Sequence, residues 1–303
     1  LSELTGGSIL RTEAEMFGLI LGFARADEHI RAVVLNGSRV NPNIPKDIFQ
    51  DYDVIFFVDD LSPYINNLAV VQYFGETIIY QLPDQMGKVD EKDPNRYAYL
   101  MQFSDGNRID LSFCLLVDME KIIAEDSLTR VLLDKDDRIG DLPTPNDSTY
   151  LPKPATEKQF DHCCNEFWWL MLYAAKGLWR KEFIGPKYYQ GLICQELLKM
   201  LTWNYGVHTG FARSPGKMGR FFEPVYTEIY GYDFWGMIKE LFLDEKSGNI
   251  WDSLYTMGEI FRQTAQDFAC HFGYTYPIQD DIRVSEYLRL VQSLPQDASS
   301  FNP

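Results

Sequence analysis

Hydrophobic positions in the first half of the chain fall into short runs whose period changes from segment to segment. Met16, Leu19, Ile20 and Phe23 recur at helical spacing behind Thr12 and Glu15, a Thr-x-x-Glu capping box, and predict a helix that ends near Ala26. Arg31–Asn36 and Asp53–Val58 are β-rich runs punctuated between them by Gly37, Pro42 and Pro45. They read as two strands joined by a long loop, and long loops inside a domain are often functional. Further strands are expected at Thr77–Leu82, Ala98–Phe103 and Arg108–Leu115, the last two joined at Asp105-Gly106, a strong hairpin signal.

Between Asp136 and Ala155 the chain turns to Asp, Pro, Ser and Thr, with prolines at 143, 145, 152 and 154, which marks a linker. Beyond it the period is helical. Thr156 and Gln159 form a second capping box that opens a segment reaching about Glu182, followed by helical stretches at 188–205, 234–242, 250–272 and 282–292. The expected fold class is α+β: a mixed sheet with helices over residues 1–140, then an all-α helical bundle over 141–303.

Composition narrows this picture. With 303 residues, 46% of them hydrophobic, the chain can bury a full core and is long enough for two domains. No apolar run approaches the roughly 18–20 residues needed to span a bilayer. Leu1–Gly7 also lacks the basic-then-apolar pattern of a leader, so a cytoplasmic protein with no membrane partner is expected. Cys114, Cys163, Cys164, Cys194 and Cys270 include no C-x-x-C pair and suggest buried free thiols rather than disulfides or a zinc site. A net charge of −16 speaks against a nucleic-acid partner, whose phosphates need Lys and Arg, and favours a cationic small molecule.

The chemistry concentrates in Gly37-Ser38-Arg39, in Asp51-Tyr52-Asp53 at the mouth of the next strand, and in Arg108-Ile109-Asp110 at the mouth of a later one. With a side-chain period of two, Asp51 and Asp53 share a face, a seat for Mg²⁺, which takes one or two carboxylates and substrate phosphates. Asp110 on a neighbouring strand would add a third carboxylate and permit a two-metal arrangement. Gly37 lets the backbone approach phosphate, Ser38 adds a hydroxyl, and Arg39 offers a bidentate partner to phosphate oxygens. Each piece alone is commonplace at a strand end or turn; their joint order is not.

That order resembles the DNA polymerase beta-like nucleotidyltransferases, whose Gly-Ser, D-x-D and third strand aspartate match Gly37, Ser38, Asp51, Asp53 and Asp110. The longer strings LNGSRVNPNIPKDIFQDYDV, MQFSDGNRIDL, CCNEFWW and AKGLWRKE resemble the aminoglycoside 6-adenylyltransferases over nearly the whole chain. The resemblance implies an ATP-binding, Mg²⁺-dependent sheet domain and a helical acceptor-binding domain. It also implies in-line attack of a streptomycin hydroxyl on the α-phosphorus of ATP, with release of pyrophosphate.

On the helix after Thr156, His162, Glu166, Trp169, Tyr173 and Lys176 are spaced by 4, 3, 4 and 3 residues and form one stripe. Glu166 is a candidate general base or a carboxylate for a cationic acceptor, Lys176 a point charge for the triphosphate, and Trp169 and Tyr173 stacking surfaces for the acceptor. Equally, the aromatics can be core, Glu166 paired within the bundle, Lys176 a solvated end and His162 structural. Asp161, Glu76 and Asp84 are rival bases, and Lys217 sits in a Gly-rich stretch that reads as a surface loop. Competing functions are the same transfer to another antibiotic or a protein hydroxyl, a nucleotide-sugar glycosyltransferase, and a catalytically silent nucleotide-binding module. The glycosyltransferase reading leaves Gly37, Ser38 and Asp110 without a role.

Overall fold

The amide of Thr12 donates to the Glu15 carboxylate at 2.7 Å and the amide of Glu15 to the Thr12 hydroxyl at 3.3 Å. This reciprocal cap starts helix α1, Glu13–Ala26, whose buried residues are Met16, Ile20 and Ala24. The computed structural model in which it is seen describes residues 10–87, 93–243 and 249–301. The chain divides into two compact units, Leu1–Thr149 and Tyr150–Pro303.

In the first unit the elements after α1 are β1 (Ile30–Asn36), β2 (Tyr52–Val58), α2 (Leu68–Phe74), β3 (Thr77–Gln81), α3 (Pro83–Met86), β4 (Arg96–Phe103), β5 (Arg108–Leu115), α4 (Met119–Glu125) and β6 (Arg130–Asp134). The strands form one sheet in the order β3-β4-β5-β2-β1-β6. The β2–β5 pair is parallel and every other pair antiparallel. Alternation sets the two faces. Val33, Leu35, Val54, Phe56, Leu111 and Phe113 pack with α1 and α2 on one side, while Ala32, Val34, Phe57 and Cys114 meet Met119 and Ile122 of α4 on the other. Because α4 has only seven residues, it covers part of that second face.

The turn at Asp105-Gly106 doubles as an anchor. Arg11 Nε and Nη2 donate to the two carboxylate oxygens of Asp105 at 2.5 and 3.1 Å, and Asn107 Nδ2 adds a third donor at 3.0 Å. The pair ties the stretch entering α1 to the β4–β5 hairpin.

The second unit comprises α5 (Glu157–Trp179), α6 (Ile184–His208), α7 (Phe222–Tyr230), α8 (Tyr232–Leu243), α9 (Ile250–Phe272) and α10 (Ile278–Ser293). Thr156 and Gln159 cap α5 as a capping box. Phe167 of α5 stacks on Phe261 of α9 with ring centroids 3.7 Å apart. Arg262 of α9 grips the buried Asp281 of α10 through two contacts of 2.6 Å, with Tyr276 donating to the same carboxylate at 2.8 Å.

The α+β expectation holds, with corrections of detail. Strand β6 and helices α2, α3, α4 and α7 were not expected; each has nine residues or fewer, too few for a period to declare itself. Helix α5 stops at Trp179, short of Glu182, and α10 starts at Ile278, earlier than 282. All five cysteines are free; Cys270 is exposed and Cys194 half-buried, against the expectation of buried thiols. No helix among the described residues is long and apolar enough to cross a membrane.

Candidate active site

Strand β1 ends at Asn36 and the chain enters a single 3-10 turn, Gly37–Val40. Gly37 has φ of +74°, and a Cβ there would stand 2.2 Å from Asp53 Oδ2. Both the dihedral and the space demand glycine, and the backbone of the turn lies directly against the Asp53 carboxylate. In the antiparallel register Asn36 is opposite Asp53, and in the parallel register Asp53 is opposite Asp110. Neighbouring strands lie about 4.8 Å apart, so the two carboxylates leave the same face side by side. Asp51 immediately precedes β2 and shares their side.

Arg108 closes the group. Its Nε and Nη2 donate to Asp110 at 2.8 and 2.9 Å, and Nε lies 3.6 Å from the Asp51 carboxylate. Burial, then the charges of Asp110 and Asp51, push the Asp53 carboxyl up to about 6. A cation placed here would relieve that repulsion. Among the described residues no three His, Cys, Asp or Glu side chains form a ready-made metal cage. Mg²⁺ does not require one, because it keeps several waters and completes its shell with substrate phosphates. The hard oxygens of Asp51, Asp53 and Asp110, beside a turn whose backbone can approach closely, fit that mode.

Arg39, expected as a phosphate contact, is held against the loop backbone. Its Nε donates to the Asp51 carbonyl at 3.1 Å and Nη2 to that of Gln50 at 2.7 Å, with the guanidinium 3.6 Å over the Tyr52 ring. Gln50 in turn donates to the carbonyl of Ser38 at 3.0 Å. Together they clip the two ends of the 41–51 loop and fix where Asp51 stands.

A groove of about 580 Å³ adjoins the carboxylates, lined among others by Asp53, Asp110 and Ser112 of the sheet and by Asp118, Glu125 and Asp126. Its two cations are engaged, Arg96 with the Ser112 hydroxyl at 2.9 Å and Lys121 with Glu125 at 4.0 Å. Asn36 donates to Asp126 and Thr129 at 2.8 and 3.2 Å, while its buried Oδ1 has no partner among the described residues, the kind of uncompensated group that calls for a functional explanation. Ser112 and the acids around α4 were not among the expected site residues: the signal for Ser112 was its place two residues past Asp110 on the same strand face, whereas a long-range packing event brings the acids there.

In the helical unit the stripe on α5 is real. His162, Trp169 and Lys176 are exposed, and Glu166 and Tyr173 half-buried. Among the described residues Glu166 has no hydrogen bond or ion pair. Tyr173 stacks on Tyr189 of α6 at 5.0 Å, and Lys176 Nζ lies 4.5 Å from the Tyr173 ring centre. Asp161 is exposed on the same helix. Of the other rival bases, Asp84 accepts the Ala98 amide at 2.7 Å, and Glu76 precedes β3, which β4 and β5 separate from β2. Lys217 is exposed in a short turn.

The aminoglycoside 6-adenylyltransferase of Campylobacter jejuni is 35% identical to this chain over 280 residues, covering 92% of the chain and 95% of that protein. Proteins of the same name from Bacillus subtilis (strain 168) and Staphylococcus aureus are 35% and 33% identical, covering 90% and 88% of the chain and 95% and 94% of their own lengths. The family described as streptomycin adenylyltransferase matches residues 10–291. Since that span takes in both hydrophobic cores, from Met16 to Val291, the chain as a whole belongs to the streptomycin adenylyltransferase family and is a nucleotidyltransferase enzyme.

Proposed function

We propose that this protein transfers AMP from Mg-ATP to a hydroxyl of a streptomycin-type aminoglycoside, releasing pyrophosphate and inactivating the antibiotic. The observation that carries the reading is the in-register pairing of Asp53 with Asp110, with the Gly37 turn packed against Asp53. Asp51, Asp53 and Asp110 would hold Mg²⁺, which would supply positive charge at the phosphate oxygens. Gly37 and Ser38 provide backbone and hydroxyl donors for the same phosphates, and Arg39 acts as a brace for Asp51. The acceptor oxygen forms a bond to the α-phosphorus, the bond from that phosphorus to the bridging oxygen breaks, and pyrophosphate leaves with the electron pair. A carboxylate takes the hydroxyl proton; Glu166, half-buried and without a partner among the described residues, is the candidate in the helical unit.

A cationic acceptor is supported by the relatives' names and by the acid-rich groove beside Asp53 and Asp110. The test is pyrophosphate release from Mg-ATP with and without streptomycin, alongside other aminoglycosides, a lincosamide and a protein acceptor. Release stimulated by streptomycin is expected. Stimulation by a different acceptor alone would keep the chemistry and replace the substrate.

A further inference from the structure

Asp110, Asp53 and Asn36 stand opposite one another across three neighbouring strands, β5, β2 and β1, and all three line the acid-rich groove. Beyond Asn36 the row runs out of strand. The β1–β6 ladder ends at Leu35, opposite Arg130, so Asn36 lies one residue past the pairing and its side chain supplies the link that the backbone does not. Its amide donates to Asp126 and Thr129, in the stretch that leads into β6. Those two residues are themselves fixed. The Leu128 amide donates to the other Asp126 carboxylate oxygen at 2.8 Å, and the Thr129 hydroxyl to the Asp126 carbonyl at 2.7 Å. Thr129 is 4% exposed and Asn36 8%, so the link is made away from water, where a hydrogen bond holds geometry best.

Asparagine is a costly choice at this position. Its buried Oδ1 has no partner among the described residues and carries a desolvation penalty that an apolar side chain of the same size would not. What it supplies is a double donor at the point where the row has lost its next strand, beside Asp53 and immediately before Gly37, whose turn lies against the Asp53 carboxylate. Among the described residues Asp53 itself has no hydrogen bond or ion pair, so its place depends on the elements around it. We propose that Asn36 is a positioning residue for the transfer. By tying the end of β1 to Asp126 and Thr129 it fixes both the Gly37 turn against Asp53 and the Asp126 wall of the groove, and so holds the Asp53 carboxylate where a metal-bound phosphate meets it. The proposal rests on adenylyl transfer at Asp53 and Asp110, and it gives Asn36 no contact with substrate.

The test compares wild type with Asn36→Leu, Thr129→Val and Thr129→Ser in two measurements on the full chain. One is kcat and KM for streptomycin in pyrophosphate release from Mg-ATP; the other is Mn²⁺ binding in the presence of the non-transferable analogue α,β-methylene-ATP, read from the paramagnetic resonance signal of the free ion. Leucine is close to asparagine in shape and donates nothing. Asn36→Leu should lower kcat about thirtyfold or more with the KM for streptomycin within about threefold, because misplaced reacting groups are felt in the chemical step. It should also weaken Mn²⁺ binding about tenfold, the scale of losing a group that orients a metal ligand from behind. Thr129→Val should lower kcat several-fold, and Thr129→Ser, which keeps the hydroxyl, should run near the wild-type rate. Rates and Mn²⁺ binding within about twofold of wild type in both Asn36→Leu and Thr129→Val would overturn the assignment, as would Thr129→Ser as slow as Thr129→Val, or a loss carried by KM alone. If Asn36→Leu does not fold, the Thr129 pair decides the question. A wild type that releases no pyrophosphate with any acceptor would remove the transferase reading; Mn²⁺ binding then judges Asn36 by itself, weakened binding in Asn36→Leu keeping its role and unchanged binding overturning it.

Discussion

Asp53 carries an electrostatic burden that a metal-bound substrate can lift. Burial and the neighbouring Asp110 and Asp51 push its carboxyl up to about 6, above the ordinary aspartate value of about 3.9. Between roughly pH 4 and pH 6 the folded chain therefore holds a proton that the unfolded chain has released, and metal-free stability falls as pH rises through that window. Asp53→Asn removes this cost. In metal-free buffer at about pH 8 the variant should be more stable by about 1–3 kcal/mol, from a shift of about two units at 1.36 kcal/mol each, and the gain should fade toward about pH 4. Urea unfolding at the two pH values checks it; a gain of the same size at both, or none, contradicts the account. The same substitution should abolish transfer, so one residue trades stability for activity.

Among the elements, the β4–β5 hairpin shows what holds the sheet unit's entry helix in place. Asp105, only 3% exposed, is pushed upward by burial, but hydrogen bonds from Arg11 and Asn107 outweigh that and hold its carboxyl well below the usual range. Its stabilisation is therefore present at neutral pH and lost as pH falls below the ordinary aspartate range. Asp105→Ala should cost about 3 kcal/mol, the magnitude typical of breaking a buried pair from one side, measured by denaturant unfolding at neutral pH; a loss under about 0.5 kcal/mol would reduce the pair to a surface bridge. The Asp105-Gly106 turn was legible because hairpin chemistry is local, and both capping boxes were legible for the same reason. So were the strands bearing Asp53 and Asp110. Their adjacency was a guess from order alone, since parallel pairing of β2 with β5 is set by long-range packing. The contacts of Arg39 were not legible for a related reason: the fold of the 41–51 loop places Tyr52 and the carbonyls of Gln50 and Asp51 around its guanidinium.

At the scale of the whole molecule, a net charge of −16 and the acids beside Asp53 and Asp110 attract a cationic acceptor by long-range field as well as by contact. Raising ionic strength from about 0.05 M to about 0.5 M shortens the screening length several-fold. The KM for streptomycin should rise several-fold with kcat nearly unchanged; a KM indifferent to salt would mean that recognition depends on short contacts alone. The sequence exposed this bias in its composition, but not where it is broken: a cationic, aromatic groove between α5 and α10 brings together residues more than a hundred positions apart, and only three of its seven lining residues lay on the stripe visible in α5.

The most direct test of the central claim, that the Asp53–Asp110 pair carries adenylyl transfer to an aminoglycoside, is the mass of streptomycin after incubation with Mg-ATP and each of three proteins: wild type, Asp53→Asn and Asp110→Asn. The account predicts a gain of one AMP with wild type and, with either variant, a rate at least about a thousandfold lower, the scale of losing a main electrostatic element of the site. A variant that adenylylates streptomycin at near wild-type rate would place the chemistry elsewhere in the chain.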